Sequence, residues 1–75
     1  MINKRIYKIL NKNFLLKKNN KNLDLFKEGI IDSFGIFKLI DHLEKEFKVK
    51  INLDKFSHNN LRSIKSISRF LKKIN

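Results

Sequence analysis

The sequence predicts an all-α fold, a small bundle of three long helices and one short one. Three observations predict it. Apolar residues recur at helical spacing in three separate stretches, and proline is absent throughout. The one alternating segment, residues 48–53, has no second strand to pair with. Seventy-five residues allow a single domain, residues 1–75, with one core.

Ile2, Ile6, Ile9, Leu10 and Phe14 share one helical face while Lys4, Arg5, Lys8 and Lys12 occupy others, so an amphipathic helix is expected over residues 2–16. Lys17–Asn22 is a polar loop. Leu23, Leu25 and Phe26 return to the core before Gly29 turns the chain by adopting positive φ, and Ile30 and Ile31 plug the interior. The second helix is expected from Asp32-Ser33 to Phe47. Asp32 is its N-cap, Ile31 and Ile36 stand at the hydrophobic-staple positions, and Ile36, Leu39, Ile40, Leu43 and Phe47 form its apolar stripe. Residues 48–53 form an extended linker that tucks in Val49, Ile51 and Leu53. A short helical turn follows at Asp54–Asn59. Ser63 then caps a last helix whose Ile64, Ile67, Leu71 and Ile74 face the core and whose Lys65, Arg69, Lys72 and Lys73 face water.

Composition excludes several functions. No cysteine means no disulfide and no thiolate metal site, and His42 and His58 have no ligand cluster around them. No metal site is expected. With no histidine beside a plausible nucleophile, the pattern argues against a hydrolytic enzyme. The longest apolar runs are too short to span a bilayer, and Lys8, Asn11 and Lys12 interrupt any signal-peptide-like region, so a cytoplasmic protein is expected.

The formal charge of +11 is a footprint of polyanion binding. Yet 15 of the 18 basic residues are lysine, and Lys, Asn, Ile and Phe make up 43 of the 75 residues. AT-rich codon usage would produce that bias without any polyanion partner, so the charge reads either as codon drift or as a selected polyanion site. Placement is uneven. Residues 1–23 carry seven basic groups and residues 55–75 six, both without an acid, while residues 24–54 hold all seven acids against five lysines. A partner docking on the middle segment meets local acidity, because salt screens the distant charges beyond about 8 Å.

The informative stretch runs from Gly29 to Phe47. Asp32-Ser33-Phe34 opens the second helix, and Leu43-Glu44-Lys45-Glu46-Phe47 closes it. This pairing resembles the acyl, aminoacyl and peptidyl carrier proteins, which have an Asp-Ser-Leu-type triplet and a Leu-Glu-x-Glu-Phe element one helix length later. Val49-Lys-Ile51 and Asn60-Leu-Arg-Ser63-Ile64-Lys-Ser-Ile67 resemble the family's later segments, so the likeness covers roughly residues 6–74. It implies an acyl-carrier-like bundle that catalyses nothing itself. It further implies a 4′-phosphopantetheine arm, derived from coenzyme A, attached to Ser33 and bearing an acyl or aminoacyl group as a thioester. Implied partners are a phosphopantetheinyl transferase, an AMP-forming acid-activating ligase and downstream acyl-processing enzymes, all served by a monomer.

The residues support that chemistry in their own right. A helix N-terminus carries unpaired amides and about half a positive charge, which favours a phosphodiester there. The plain alternative, Ser33 as a helix cap, competes with Asp32 for the same position. Phe34 and Phe37 lie opposite or beside the apolar stripe, in a row with Asp41. Phe37 is either a core residue or, as the resemblance implies, part of a partner-recognition face made of Asp32, Phe34, Phe37, Asp41 and Glu44. Gly35 inside a helix is either tolerated near its end or leaves room for a partner or the arm's phosphate. Lys38 and Lys45 stand where fatty-acid carriers have acids. Gly35 and the Phe56…Asn60-Leu-Arg-Ser-Ile segment instead resemble D-alanyl and other single-domain carriers served by adenylating enzymes. Two other functions compete with the carrier: a basic nucleic-acid-binding module using Arg62, Lys65, Arg69 and Lys72, and a bundle whose first and last helices lie on anionic lipid.

Overall fold

The computed structural model describes residues 2–74. Helix α1 spans Ile2–Asn13, α2 Gly35–Phe47 and α3 Ile64–Ile74, and a 3-10 turn covers His58–Leu61. The fold is all-α, with no strand among the described residues. None of the described helices is long and apolar enough to cross a membrane. The expected short fourth helix is the 3-10 turn, which starts later than the turn anticipated at Asp54–Asn59 and overlaps it only at His58 and Asn59. Polar side chains divide that stretch by taking its amides. Asn52 Oδ1 accepts from the Asp54 amide at 2.9 Å, and Asn60 Oδ1 accepts from the Ser57 amide at 2.7 Å.

Helix α1 stops three residues before its expected end. Side chains of its last turns catch carbonyls of the departing chain: Asn11 Nδ2 donates to Leu16 O at 2.8 Å and the Tyr7 hydroxyl to Lys17 O at 3.1 Å. The stop swings Phe14 and Leu16 inward while Leu15, between them, is 83% exposed.

The crossover to α2 is built from two caps in series. Asp24 Oδ1 accepts from the Phe26 and Lys27 amides at 3.1 and 3.0 Å, opening a single helical turn. Gly29, at φ 73°, closes that turn. Its amide bonds to Phe26 O and the Ile30 amide to Leu25 O, a Schellman arrangement. Leu25 and Ile31 are buried as expected, and the Leu25 amide is strapped to Arg62 O at 2.7 Å. Arg62 Nη1 adds an ion pair to Asp24 Oδ2 at 3.0 Å. Arg62 is thus a structural clamp rather than a member of a basic outer face.

Helices α1 and α2 run antiparallel. Arg5, near the start of α1, bonds Glu46 Oε2 at 2.9 Å and Glu46 O at 2.7 Å and lies 4.3 Å over the Phe47 ring. Phe14, just past α1, lies against the first turns of α2. Helix α3 starts at a reciprocal serine box: Ser63 Oγ accepts from the Ser66 amide at 3.1 Å, and Ser66 Oγ accepts from the Ser63 amide at 2.8 Å. Ile64, Ile67 and Leu71 pack into the core against Ile6, Ile9 and Leu10 of α1. Two expectations fail here and one in the linker. Phe70 is buried in the core although the expected stripe left it out, whereas Ile74 in the terminal turn is 39% exposed. Ile51 is buried and Val49 partly so, but Leu53 sits in a tight turn and is 51% exposed.

Lys48 ends α2 in the left-handed region at φ 55°, ψ 45°. A side chain there is strained by about 1–2 kcal/mol. Lys48→Gly is therefore expected to raise unfolding stability by about 1 kcal/mol in urea denaturation, and an unchanged midpoint would show the strain is absent. Asp24 gives a pH prediction. The Lys27 amide foremost, then Arg62 and the Phe26 amide, hold its carboxyl below the ordinary range, outweighing the opposing effect of burial. A depressed folded-state pKa gives stability that is present above the unfolded value of about 3.9 and is lost as pH falls through the folded one. Thermal unfolding of the parent should therefore steepen in its fall below about pH 4, with Asp24→Asn showing a shallower acid limb.

Candidate functional site

The regular hydrogen bonding of α2 begins at Gly35, but its helical geometry begins earlier. Phe34 already has helical φ −79° and ψ −37°, and the Ile36 amide donates to Asp32 O at 3.1 Å. Asp32 Oδ1 accepts from the Gly35 amide at 2.7 Å. Asp32 is therefore the working N-cap, Ser33 the first helical residue and Phe34 the second. Ile31 and Ile36, on either side of the cap, are both buried. Ser33 itself is exposed and is not the capping acceptor. The amides of Ser33 and Phe34 take no backbone partner among the described residues and remain as donors at the mouth of the helix.

Gly35 stands at a point of close approach and does not open a space toward solvent. It is buried, and a Cβ placed there would stand 3.2 Å from Asp32 Oδ1, 3.5 Å from Phe14 Cε1 and 3.6 Å from Ile31 Cγ2. The room beside it is already filled by the cap and by the aromatic ring below. Phe14 supports this turn from α1. Its ring meets His42 edge-on at 6.3 Å, and the Lys38 ammonium lies 6.0 Å from its centroid. Periodicity marks Phe14 only as a core residue, and nothing in residue spacing reveals its role under the cap.

The remaining candidate residues divide. Phe34 is 84% exposed and Phe37 61%, so neither is in the core. Asp41 is exposed one turn further along and pairs with Lys45 Nζ at 3.1 Å. At 100° per residue, Phe34, Phe37 and Asp41 share the outward face that begins at Ser33. Glu44 does different work. Its Oε2 accepts from the Ile51 amide at 2.8 Å, and its carbonyl accepts from the amides of Lys48 and Val49. It anchors the linker to the end of α2, so its carboxylate is not open to a partner in the way Asp41 is.

An exposed serine in the first turn of a capped helix, with unpaired amides beside it, has the geometry for carrying an anionic group. The family described as "Phosphopantetheine attachment site" matches residues 10–71. The chain belongs to that family. Two D-alanyl carrier proteins are similar to this phosphopantetheine carrier. That of Bacillus licheniformis is 36% identical over 42 residues, covering 56% of the chain and 54% of the relative. That of Streptococcus uberis is 32% identical over 54 residues, covering 72% of the chain and 68% of the relative. Membership implies a covalently attached 4′-phosphopantetheine group, and the donor set described above fits one: a hydroxyl free of capping duty and amides with no internal partner.

The contact between Asp32 and Gly35 makes a coupled prediction. Asp32→Ala should cost about 1 kcal/mol through loss of the cap. Gly35→Ala should gain about 0.5–1 kcal/mol in the Asp32→Ala background, where only helix propensity acts, and less or nothing in the parent, where the new methyl crowds the carboxylate. A double-mutant cycle by chemical denaturation measures the difference. Equal effects of Gly35→Ala in both backgrounds would mean that cap and glycine are independent.

Proposed function

We propose that this chain is a single-domain aminoacyl or acyl carrier whose 4′-phosphopantetheine arm is attached to Ser33. The observation that carries this reading is the division of labour at the start of α2. Asp32 caps the helix, and the hydroxyl beside it is left exposed. In the loading step, Ser33 Oγ bonds to the phosphorus adjoining the pantetheine of coenzyme A. The pyrophosphate P–O bond breaks, adenosine 3′,5′-bisphosphate leaves, and the hydroxyl proton passes to a base of the transferase. Once attached, the arm supplies a thiol that holds cargo as a thioester. The Ser33 and Phe34 amides, together with the partial positive charge of the helix N-terminus, favour the phosphodiester at this position.

Asp32, Phe34, Phe37 and Asp41 form the face that a phosphopantetheinyl transferase, an AMP-forming ligase and downstream acyl-processing enzymes recognise. Two exposed phenylalanines within one helical turn of the attachment point are large apolar contacts of the kind that anchor protein interfaces. Glu44 contributes indirectly, by fixing the far end of the helix. The chain performs no catalysis in this scheme. The two relatives named as D-alanyl carriers favour a small amino acid, D-alanine foremost, as the cargo.

Incubation of the apo chain with coenzyme A and a broad-specificity transferase should raise its intact mass by one phosphopantetheinyl group, and Ser33→Ala should abolish the gain. A gain retained by Ser33→Ala would place the arm elsewhere. Phe34→Ala should leave the fold intact and reduce loading by a D-alanine-activating ligase about tenfold or more, in line with loss of an interface anchor.

A further inference from the structure

The surplus positive charge is carried by a belt of residues on α1, the 17–21 loop and α3, outside the stretch 24–54 that holds every acid. Lys4, Lys8 and Lys12 recur along α1 on the side opposite its buried Ile6, Ile9 and Leu10. The loop carrying Lys17, Lys18 and Lys21 is bonded at both ends. Its Lys17 carbonyl accepts from the Tyr7 hydroxyl of α1 at 3.1 Å, and its Lys21 carbonyl accepts from the Lys65 amide of α3 at 3.0 Å. Lys65, Arg69 and Lys72 extend the belt along the exposed side of α3. The ion pairs among the described residues use Arg5, Lys45 and Arg62 and no member of the belt.

Within this belt stands Leu15. It is 83% exposed, with Lys12 before it and Lys17 and Lys18 after it. Its neighbours Phe14 and Leu16 are buried, so the backbone is anchored on both sides and Leu15 is held outward. Because α1 and α2 are antiparallel and Phe14 lies against Gly35, Leu15 lies at the same pole of the molecule as Ser33.

We propose that Leu15, with Lys12, Lys17 and Lys18, is a contact patch for an anionic lipid surface. The apolar faces of α1 and α3 are consumed by the core, so neither helix is available to lie in the interface as an amphipathic anchor. What remains is electrostatic adsorption by lysines plus insertion of one aliphatic side chain at the headgroup boundary. That combination favours lipid over nucleic acid. Lysines are hydrated point charges suited to a fluid headgroup array, and Arg69 is the belt's sole arginine. The exposed phenylalanines that could stack on bases stand on α2 among Asp32 and Asp41 instead. The contact needs no arm on Ser33. With the arm in place, the contact would hold the pole that carries Ser33 next to the lipid surface.

The test uses the full, unmodified chain and sedimentation with vesicles of phosphatidylcholine alone or mixed with phosphatidylglycerol. Binding is expected to the mixed vesicles only and should weaken as salt is raised. Each lysine near an anionic surface contributes about 1 kcal/mol, so Lys17→Ala with Lys18→Ala should lower partitioning about 30-fold. The chain has no tryptophan, so Leu15→Trp is a single reporter whose emission should shift to the blue on binding. These positions are exposed, and thermal unfolding will show that the variants keep their fold. Absence of binding at low salt, equal binding to both vesicles, or a bound Leu15→Trp chain with unshifted emission overturns the proposal. So does tighter binding to duplex DNA than to the mixed vesicles at the same ionic strength. Because Ser33→Ala should bind vesicles as the parent does, failure here would leave the carrier reading standing.

Discussion

The Asp32 carboxylate accepts from the Gly35 amide, and the bare Cα of Gly35 lets the two pack closely, since a Cβ there would stand 3.2 Å from Asp32 Oδ1. This one bond decides where α2 begins and therefore which hydroxyl stands free in its first turn. The surroundings over-determine it. Gly29 closes the preceding turn and delivers Ile31 to the core, and Phe14 fills the space beneath. Moving the cap by one residue would turn Ser33 through 100° and carry Phe34 toward the buried stripe. The exposed pairing of serine and phenylalanine therefore depends on capping chemistry, and no contact made by Ser33 itself is required.

Away from that junction the fold is held by a small apolar core and a few surface clamps. With no cysteine and only 75 residues, the core has no covalent help. Arg5 and Arg62 each do more than an exposed ion pair would, since each adds aromatic contact and a further hydrogen bond. Solvent-exposed pairs alone contribute little. Both clamps fasten long-range partners: Arg5 holds the start of α1 to the end of α2, and Arg62 holds the crossover to the segment before α3. They set the position of α2 from its two ends.

How much of this could be read from residues alone follows from where the determining forces are local. The three helices, the Gly29 turn, the Asp32 and Ser63 caps and the exposed charged faces obey short-range rules, and each stands where those rules put it. The departures arise where side chains compete for backbone groups or where the core ends. Asn11 and Tyr7 shorten α1 by binding carbonyls beyond it, and Asn52 and Asn60 break the expected turn and displace it. Leu53 and Ile74 have core-like periodicity but lie past the edge of the core, while Phe70, three residues after Ile67, flanks the expected stripe of α3 and is buried with it. Glu44 shares the outward pattern of a recognition residue, and only the folded linker reveals the Ile51 amide it serves.

The charge distribution separates two kinds of surface that composition alone merges into a total of +11. The α2 face combines exposed aromatics with Asp32 and Asp41, whose neighbouring lysines are partly occupied, Lys45 by Asp41 and Lys38 over Phe14. The belt of α1, the 17–21 loop and α3 carries lysines with no internal acid to meet. Over a Debye length of about 8 Å the two surfaces are electrically distinct, although the molecule is only 27 × 26 × 19 Å across its principal axes. A partner approaching α2 thus meets shape and apolar contact first, whereas the belt acts chiefly through its field, with Leu15 as its one exposed aliphatic contact. Raised salt should weaken the second kind of encounter far more than the first, which makes ionic strength the variable that tells the two surfaces apart.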